Sequence, residues 1–189
     1  MIQHLPNLIT IGRLLAVPVV VLLILEGELF WAFWLFAAAG VSDAVDGFIA
    51  RTWRARSYLG GYLDPLADKT LLVSIFLALA KAGFLPNWLV ILVVSRDIMI
   101  VGGVLLLYTL KVPLAMQPLF VSKVNTLMQI VLAATVLGVL GLDIETAMPV
   151  LPVLVWLTAA TTTASGASYL VQGWSLLSRS SESLDRNGG

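Results

Sequence analysis

The sequence predicts an all-α integral membrane protein with six transmembrane helices. Of its 189 residues, 59% are hydrophobic and only 12% are charged, and its mean hydropathy is +0.97, far from the balance of a soluble domain. Apolar stretches of about 20 residues, long enough to cross a bilayer core, alternate with short polar breaks. The breaks fall near residues 26–28, 52–61, 83–86, 109–117 and 141–149.

The six helices are expected to form one transmembrane domain over residues 1–178, followed by a polar, mobile tail over 179–189. The end of the chain, SRSSESLDRNGG, has the low hydrophobicity typical of such tails. The first residues, MIQHLPNL, have no basic region of a signal peptide, so the first helix is expected to be retained. There is no cysteine, which excludes disulfides and thiolate metal sites. A formal net charge of zero gives no reason to expect a nucleic-acid partner.

Basic residues in the loops predict the orientation in the membrane. With six helices, both termini share one side with the loops at 52–61 and 109–117. The loops of the other side contain only Lys81 as a basic residue, together with four acidic ones. The positive-inside rule therefore places both termini in the cytoplasm, with a bacterial inner membrane as the expected location. The basic residues that decide this orientation are Arg54, Arg56, Lys111, Arg179 and Arg186.

Four aspartates lie where the second predicted helix ends and the third begins: Asp43, Asp46, Asp64 and Asp68. Positions 43 and 46 differ by about 60° around a helix, and positions 64 and 68 by about 40°, so each pair shares a face. Since a short loop joins the helices, the pairs are expected to face each other in a polar cavity on the cytoplasmic side. Even one charge at membrane depth costs roughly 2.5–3.5 kcal/mol. All-oxygen ligation favours hard cations, so two Mg²⁺ or Mn²⁺ ions are predicted here.

Glycines beside the aspartates indicate that the predicted metal site has space for a ligand. Gly47 follows Asp46 directly, and Gly60 and Gly61 precede the third predicted helix, so the backbone near the carboxylates can admit a bulky planar or phosphorylated group. Arg51 lies five residues after Asp46 and would balance the charge of a phosphate held by metal ions. The single histidine, His4, lies outside this cluster.

The stretch from Asp43 to Asp68 resembles the CDP-alcohol phosphotransferase family, because it matches the signature D-x-x-D-G-x-x-A-R-x(8)-G-x(3)-D-x(3)-D at every fixed position. The matching residues are Asp43, Asp46, Gly47, Ala50, Arg51, Gly60, Asp64 and Asp68. The opening LPNLITIGRLLAVP is also similar to the first helix of the branch that makes phosphatidylglycerol phosphate and cardiolipin.

The resemblance implies a phosphatidyl transfer from CDP-diacylglycerol to an acceptor alcohol, with CMP released. It implies that Asp43, Asp46 and Asp64 are metal ligands, and that Asp68 both contacts metal and acts as the general base on the acceptor hydroxyl. It also implies a homodimer. The residues expected at the CDP-lipid site are Asn7, Thr10, Gly47, Ala50, Arg51 and Gly60.

Two cations in otherwise apolar helices, Arg96 and Lys123, suggest an acceptor that carries a phosphate. The segments SRD and SKVNT resemble eukaryotic-type cardiolipin synthases. Phosphatidylglycerophosphate synthases more usually have Glu after the arginine and Lys where Asn125 stands. The predicted acceptor is therefore phosphatidylglycerol, giving cardiolipin, with glycerol 3-phosphate as the alternative. Arg96, Lys123 and Asn125 are the predicted acceptor-binding residues.

Other interpretations remain open from the sequence. The aspartates would also suit a cation transporter, although no relay of polar residues continues from them toward the other side of the membrane. They would also suit a metal-stabilised scaffold without activity. Arg96 and Lys123 also have structural alternatives to acceptor binding. Arg96 and Asp97 would point to different helix faces, with Asp97 paired to another helix. Lys123 would extend to the membrane surface.

Overall fold

The computed structural model describes residues 5–53, 60–109 and 120–187, and these residues form six α-helices, one short 3₁₀ helix and no β-strand. The prediction of an all-α protein is confirmed, and the helices end in the predicted breaks wherever those breaks are described. The elements are α1 (Leu5–Leu25), α2 (Leu29–Trp53), α3 (Gly60–Lys81), α4 (Asn87–Thr109), α5 (Phe120–Gly141), the 3₁₀ helix Glu145–Ala147, and α6 (Val150–Asn187).

The chain is a membrane protein by the length and composition of its helices. Within the described residues, three segments are long and apolar enough to cross a membrane, namely Asn87–Leu107, Phe120–Gly141 and Val150–Ser175. Two shorter apolar segments, Leu14–Leu25 and Leu29–Ser42, lie in α1 and α2. The count of six transmembrane helices and the cytoplasm-facing cavity stay predictions.

The last helix is longer than the sequence led us to expect. α6 continues to Asn187, so helical backbone covers most of the segment 179–189 that was predicted to be a polar tail. Neither Pro nor Gly interrupts the chain between Gly173 and Asn187, and the intervening Ser, Leu, Glu and Arg residues are compatible with a helix. The mobility of this segment stays a prediction.

Three helices end in the same hydrogen-bonded turn, which needs a residue with positive φ. Gly27 and Gly83 have φ of 83°, and Asp143 has φ of 52°. At the end of α3, the Phe84 amide donates to the Leu79 carbonyl at 2.8 Å, which is the 6→1 bond of a Schellman cap. Because glycine adopts this conformation without a Cβ penalty, it ends α1 and α3 sharply and lets α2 and α4 begin within a few residues.

The described residues form two compact units. The first contains α1, α2, α3 and α5 from Ile130 onward; α1 packs against both α2 and α3. Its core is apolar and includes Ile24, Phe76 and Leu79, all at most 1% exposed. At Gly141 a Cβ atom would lie 2.6 Å from the Leu29 carbonyl oxygen, so the end of α5 passes the start of α2 with no room for a side chain.

The second unit contains α4 from Trp88, α5 up to Gln129 and α6 from Val153. Trp88 and Trp156 contact each other near the starts of α4 and α6, with ring centroids 5.3 Å apart. Every buried polar side chain among the described residues belongs to this unit. They are Arg96, Asn125, Gln129, Thr158, Thr162 and Ser165. Among the described side chains, the buried polar ones are therefore confined to the second unit.

Candidate active site

The family signature predicted from the sequence lies on two helices that share a neighbour. Its first part, residues 43–51, lies in α2, and its second part, residues 60–68, lies in α3. The backbone is helical at both aspartate pairs, so each pair keeps the spacing of one helical turn on which the metal prediction depends. Helix α1, which carries Asn7 and Thr10, packs against both α2 and α3. The signature residues therefore lie on α2 and α3, and Asn7 and Thr10 lie on α1, the helix that packs against both.

The side chains of the signature residues, and those of Asn7 and Thr10, lie outside the described ones. The convergence of Asp43, Asp46, Asp64 and Asp68 on one volume accordingly stays a prediction. Among the side chains that the structure does describe, no three His, Cys, Asp or Glu residues are grouped so that they would hold a metal ion. The aspartates are not in that set, and the chemistry of their donors, four carboxylates without a thiolate or imidazole, fits Mg²⁺ or Mn²⁺.

The predicted acceptor residue Arg96 is 4% exposed and lies at a junction of α4, α5 and α6. Its Nη2 donates to the Ser122 hydroxyl at 2.6 Å and also to the Ser165 hydroxyl. Its Nε donates to the same Ser165 oxygen at 3.1 Å, and the guanidinium carbon lies 5.7 Å from the centroid of the Tyr169 ring. Three helices thus hold the cation in one orientation.

Arg96 also forms an ion pair with its neighbour in sequence. Its Nη1 lies 2.6 Å from Oδ1 of Asp97. The structural alternative to acceptor binding places adjacent residues on different helix faces, with Asp97 paired to another helix. The long arginine side chain nevertheless reaches the neighbouring carboxylate, and the two charges offset each other at this depth. A pairing of Asp97 with another helix stays a prediction.

The other two predicted acceptor residues lie in different surroundings. Asn125 is fully buried, and its Oδ1 accepts hydrogen bonds from Thr162 at 2.7 Å and from Thr161 at 3.1 Å. This amide therefore connects α5 to α6. Lys123, two residues earlier, is exposed, as expected for a side chain that extends toward the membrane surface.

Sequence reasoning did not select Ser122, Ser165, Tyr169 or the threonines of α6. A signal for most of them was present. On α5, Ser122, Asn125 and Gln129 recur at intervals of three and four residues, and on α6 Thr158, Thr162 and Ser165 do the same. Polar residues at this spacing form one stripe along an otherwise apolar helix, which indicates a polar contact with a neighbouring helix.

An apolar groove of about 210 Å³ lies between α4 and α6, beyond Arg96 toward the end of α4. Tyr169, which faces the Arg96 guanidinium, is one of its lining residues. Gly103 and Gly173 contribute no side chains and leave space between the helices. The groove is bounded by the large apolar side chains of Met99, Leu106, Leu107 and Trp174.

The family model for CDP-alcohol phosphatidyltransferase matches residues 3–164, which include all the signature positions together with Arg96, Lys123 and Asn125. The chain belongs to the CDP-alcohol phosphatidyltransferase family. It is 37% identical over 185 residues to the chloroplastic CDP-diacylglycerol–glycerol-3-phosphate 3-phosphatidyltransferase 1 of Oryza sativa, covering 88% of this chain and 56% of that protein.

The chain is also similar to proteins named cardiolipin synthase. It is 37% identical over 184 residues to the cardiolipin synthase (CMP-forming) of Rattus norvegicus, and 36% identical to that of Homo sapiens. Each alignment covers 89% of this chain and 61% of the relative. The chain thus spans somewhat more than half the length of these curated relatives.

Proposed function

We propose that the chain transfers a phosphatidyl group from CDP-diacylglycerol to the hydroxyl of an acceptor alcohol, releasing CMP, and so acts in phospholipid biosynthesis. The complete eight-position signature on α2 and α3, within a family match over residues 3–164, carries this proposal. Membership in the family favours a transferase over the cation transporter and the inactive scaffold that the aspartates alone would also allow.

The residues proposed to hold two divalent cations, Mg²⁺ or Mn²⁺, are Asp43, Asp46, Asp64 and Asp68. Such ions, when bound, would offset the charge of the pyrophosphate and of the departing CMP. The helical backbone at both aspartate pairs supports this assignment, because residues three or four positions apart lie one above the other on a helix.

The protein's own groups have two tasks in this reaction. The acceptor oxygen forms a bond to the lipid-bearing phosphorus, and the pyrophosphate P–O bond breaks with its electron pair leaving on CMP. Asp68 takes the proton of the acceptor hydroxyl as attack proceeds. Arg51 balances phosphate charge, while Gly47, Ala50 and Gly60, with Asn7 and Thr10 on α1, line the CDP-lipid site.

Phosphatidylglycerol is the proposed acceptor, with cardiolipin as product. The pairing of Arg96 with Asp97 at 2.6 Å supports it, because this pair has little net charge and Lys123 is then the remaining predicted cation. That charge suits a phosphodiester better than the dianion of glycerol 3-phosphate. The apolar groove beside Tyr169 is also compatible with a lipid acceptor. Glycerol 3-phosphate is the second candidate, and the named activity of the rice relative favours it.

We further propose that residues 1–178 form a six-helix transmembrane domain that acts as a homodimer. Its polar cavity and both termini would face the cytoplasm. The proposed location is a bacterial inner membrane. The basic residues of the predicted inner loops support this orientation.

The direct test is to incubate purified protein in lipid nanodiscs with CDP-diacylglycerol and Mg²⁺ or Mn²⁺, and to add phosphatidylglycerol or glycerol 3-phosphate in separate reactions. CMP release and the lipid product are measured together. Cardiolipin formed only with phosphatidylglycerol supports the proposal. Phosphatidylglycerol phosphate formed only with glycerol 3-phosphate would replace the proposed acceptor, and no CMP release with either would contradict the transferase function.

A further inference from the structure

The buried polar residues of α5 and α6 face each other in an antiparallel register, which we call the polar seam. Its first level is Ser122 and Ser165, which both accept hydrogen bonds from the Arg96 guanidinium. Its second level is Asn125 and Thr162, which bond directly at 2.7 Å. Between these levels the chain advances three residues on α5 and goes back three on α6.

The same register predicts a third level. Four residues further along α5 stands Gln129, and four residues back along α6 stands Thr158. These side chains are 3% and 0% exposed. Since residues four apart lie on one helix face, Gln129 continues the face of Asn125, and Thr158 continues that of Thr162.

The third level differs from the first two in how its polar atoms are satisfied. The first level is bridged by a guanidinium and the second is bonded directly. Neither Nε2 of Gln129 nor Oγ1 of Thr158 has a hydrogen-bond partner within the described part of the chain, and the same holds for Nδ2 of Asn125. Three unpartnered polar atoms thus lie on adjoining levels of one buried seam.

Buried polar groups without partners are costly, and proteins usually satisfy them with each other or with water. The two amides and the hydroxyl are neutral, and the residues described at this level include no charged side chain, so a metal or an anion is not the expected ligand. A water molecule typically makes about three hydrogen bonds to such groups.

We propose that Gln129, Thr158 and Asn125 bind a buried water molecule between α5 and α6. The water oxygen accepts hydrogen bonds from the amide groups of Gln129 and Asn125. One O–H of the water donates a hydrogen bond to the hydroxyl oxygen of Thr158. The water gives the third level the bridge that Arg96 gives the first, so the polar seam is connected at every level. This inference does not depend on the proposed transferase activity.

The site is tested by nuclear magnetic resonance on the full chain in nanodiscs, with ¹⁵N in the side-chain amides of glutamine. The Gln129 signal is assigned by its loss in Gln129→Met, and its cross-relaxation with water is then measured. We expect a water cross-peak at Gln129 that disappears in Thr158→Val. In Thr163→Val, the matched control, it should persist, because Thr163 is exposed and its one hydrogen bond within the described residues is to the Ala159 carbonyl of its own helix.

Thermal unfolding of the same variants provides a second readout. Thr158→Val and Gln129→Met should each lower Tm, and the double variant should lower it by less than the two combined, because the water leaves together with its partners. A rise in Tm for either single variant would show a dry, unsatisfied level and overturn the proposal. Coupling between the two residues without a water cross-peak would indicate a direct bond and would overturn it as well.

Discussion

At the scale of single residues, the best-defined group is Arg96. The Ser165 hydroxyl accepts from both Nε and Nη2 of this guanidinium, so one hydroxyl on α6 provides two of the hydrogen bonds that orient a cation on α4. Leaving a buried donor unsatisfied costs more than the net gain of an ordinary hydrogen bond. Ser165 is therefore a positioning residue for Arg96.

Removing this hydroxyl should destabilise the protein and weaken acceptor binding. We expect Ser165→Ala to reduce the free energy of unfolding by about 1–3 kcal/mol and to raise KM for the acceptor more than KM for CDP-diacylglycerol. Ser165→Thr, which keeps a hydroxyl, should recover part of both effects. Ser168→Ala is the matched control, because among the described residues the Ser168 hydroxyl donates to a single acceptor, the Ala164 carbonyl one turn back. Equal behaviour of the two alanine variants would contradict the positioning role.

The proposed general base gives a second prediction at this scale. Asp68→Asn should lower the rate of CMP release by at least about 100-fold, while Tm and much of the CDP-lipid binding are retained. Asp143→Asn is the control, because Asp143 lies in the turn after α5 and asparagine tolerates its positive φ. A fully active Asp68→Asn variant would exclude this residue as the base.

At the scale of elements, the helix ends are determined by local backbone chemistry. The Gly83 amide donates to Ala80 at 3.0 Å and the Phe84 amide donates to Leu79 at 2.8 Å, which completes the Schellman cap of α3. The glycine could be located from the sequence, because a glycine directly after an apolar run is typical of a helix end.

Gly83→Ala should therefore destabilise the protein by about 1 kcal/mol, since an L-residue with a Cβ pays roughly 1–2 kcal/mol in the left-handed conformation. Gly102→Ala is a matched control within α4, where a new Cβ would meet no atom within 4 Å and alanine favours a helix. The unfolding midpoints of both variants, measured in the same detergent, show whether Gly83→Ala is the less stable of the two. A Gly83→Ala variant as stable as the parent would show that this turn relaxes freely.

At the scale of the whole molecule, the proposed function predicts a strict dependence on divalent metal. Chelation with EDTA should stop CMP release, and added Mg²⁺ or Mn²⁺ should restore it. Unfolding of the chelated protein, followed by circular dichroism, should still be cooperative, because the helices are held largely by apolar packing. Full transfer in the presence of excess chelator would contradict the metal site formed by the aspartates.

The sequence by itself determined the class of protein and predicted the place of its chemistry. Apolar runs of membrane length and the glycines between them predicted the helices and their ends, because hydrophobic length and backbone conformation are local properties. The spacing of Asp43, Asp46, Asp64 and Asp68 indicated the metal chemistry, since helical periodicity places each pair on one face. The family match over residues 3–164 agrees with that interpretation.

Only the tertiary structure decided which side chains meet across helices. The sequence predicted Arg96 and Asn125 as acceptor-binding residues. The pattern of serines and threonines along a helix, however, does not identify the neighbouring helix that they contact. In the structure, Ser122 of α5 and Ser165 of α6 meet at Arg96 of α4, and Asn125 meets Thr162. These contacts depend on the rotation and register of whole helices, which are set by packing over their full lengths and not by the polar residues alone.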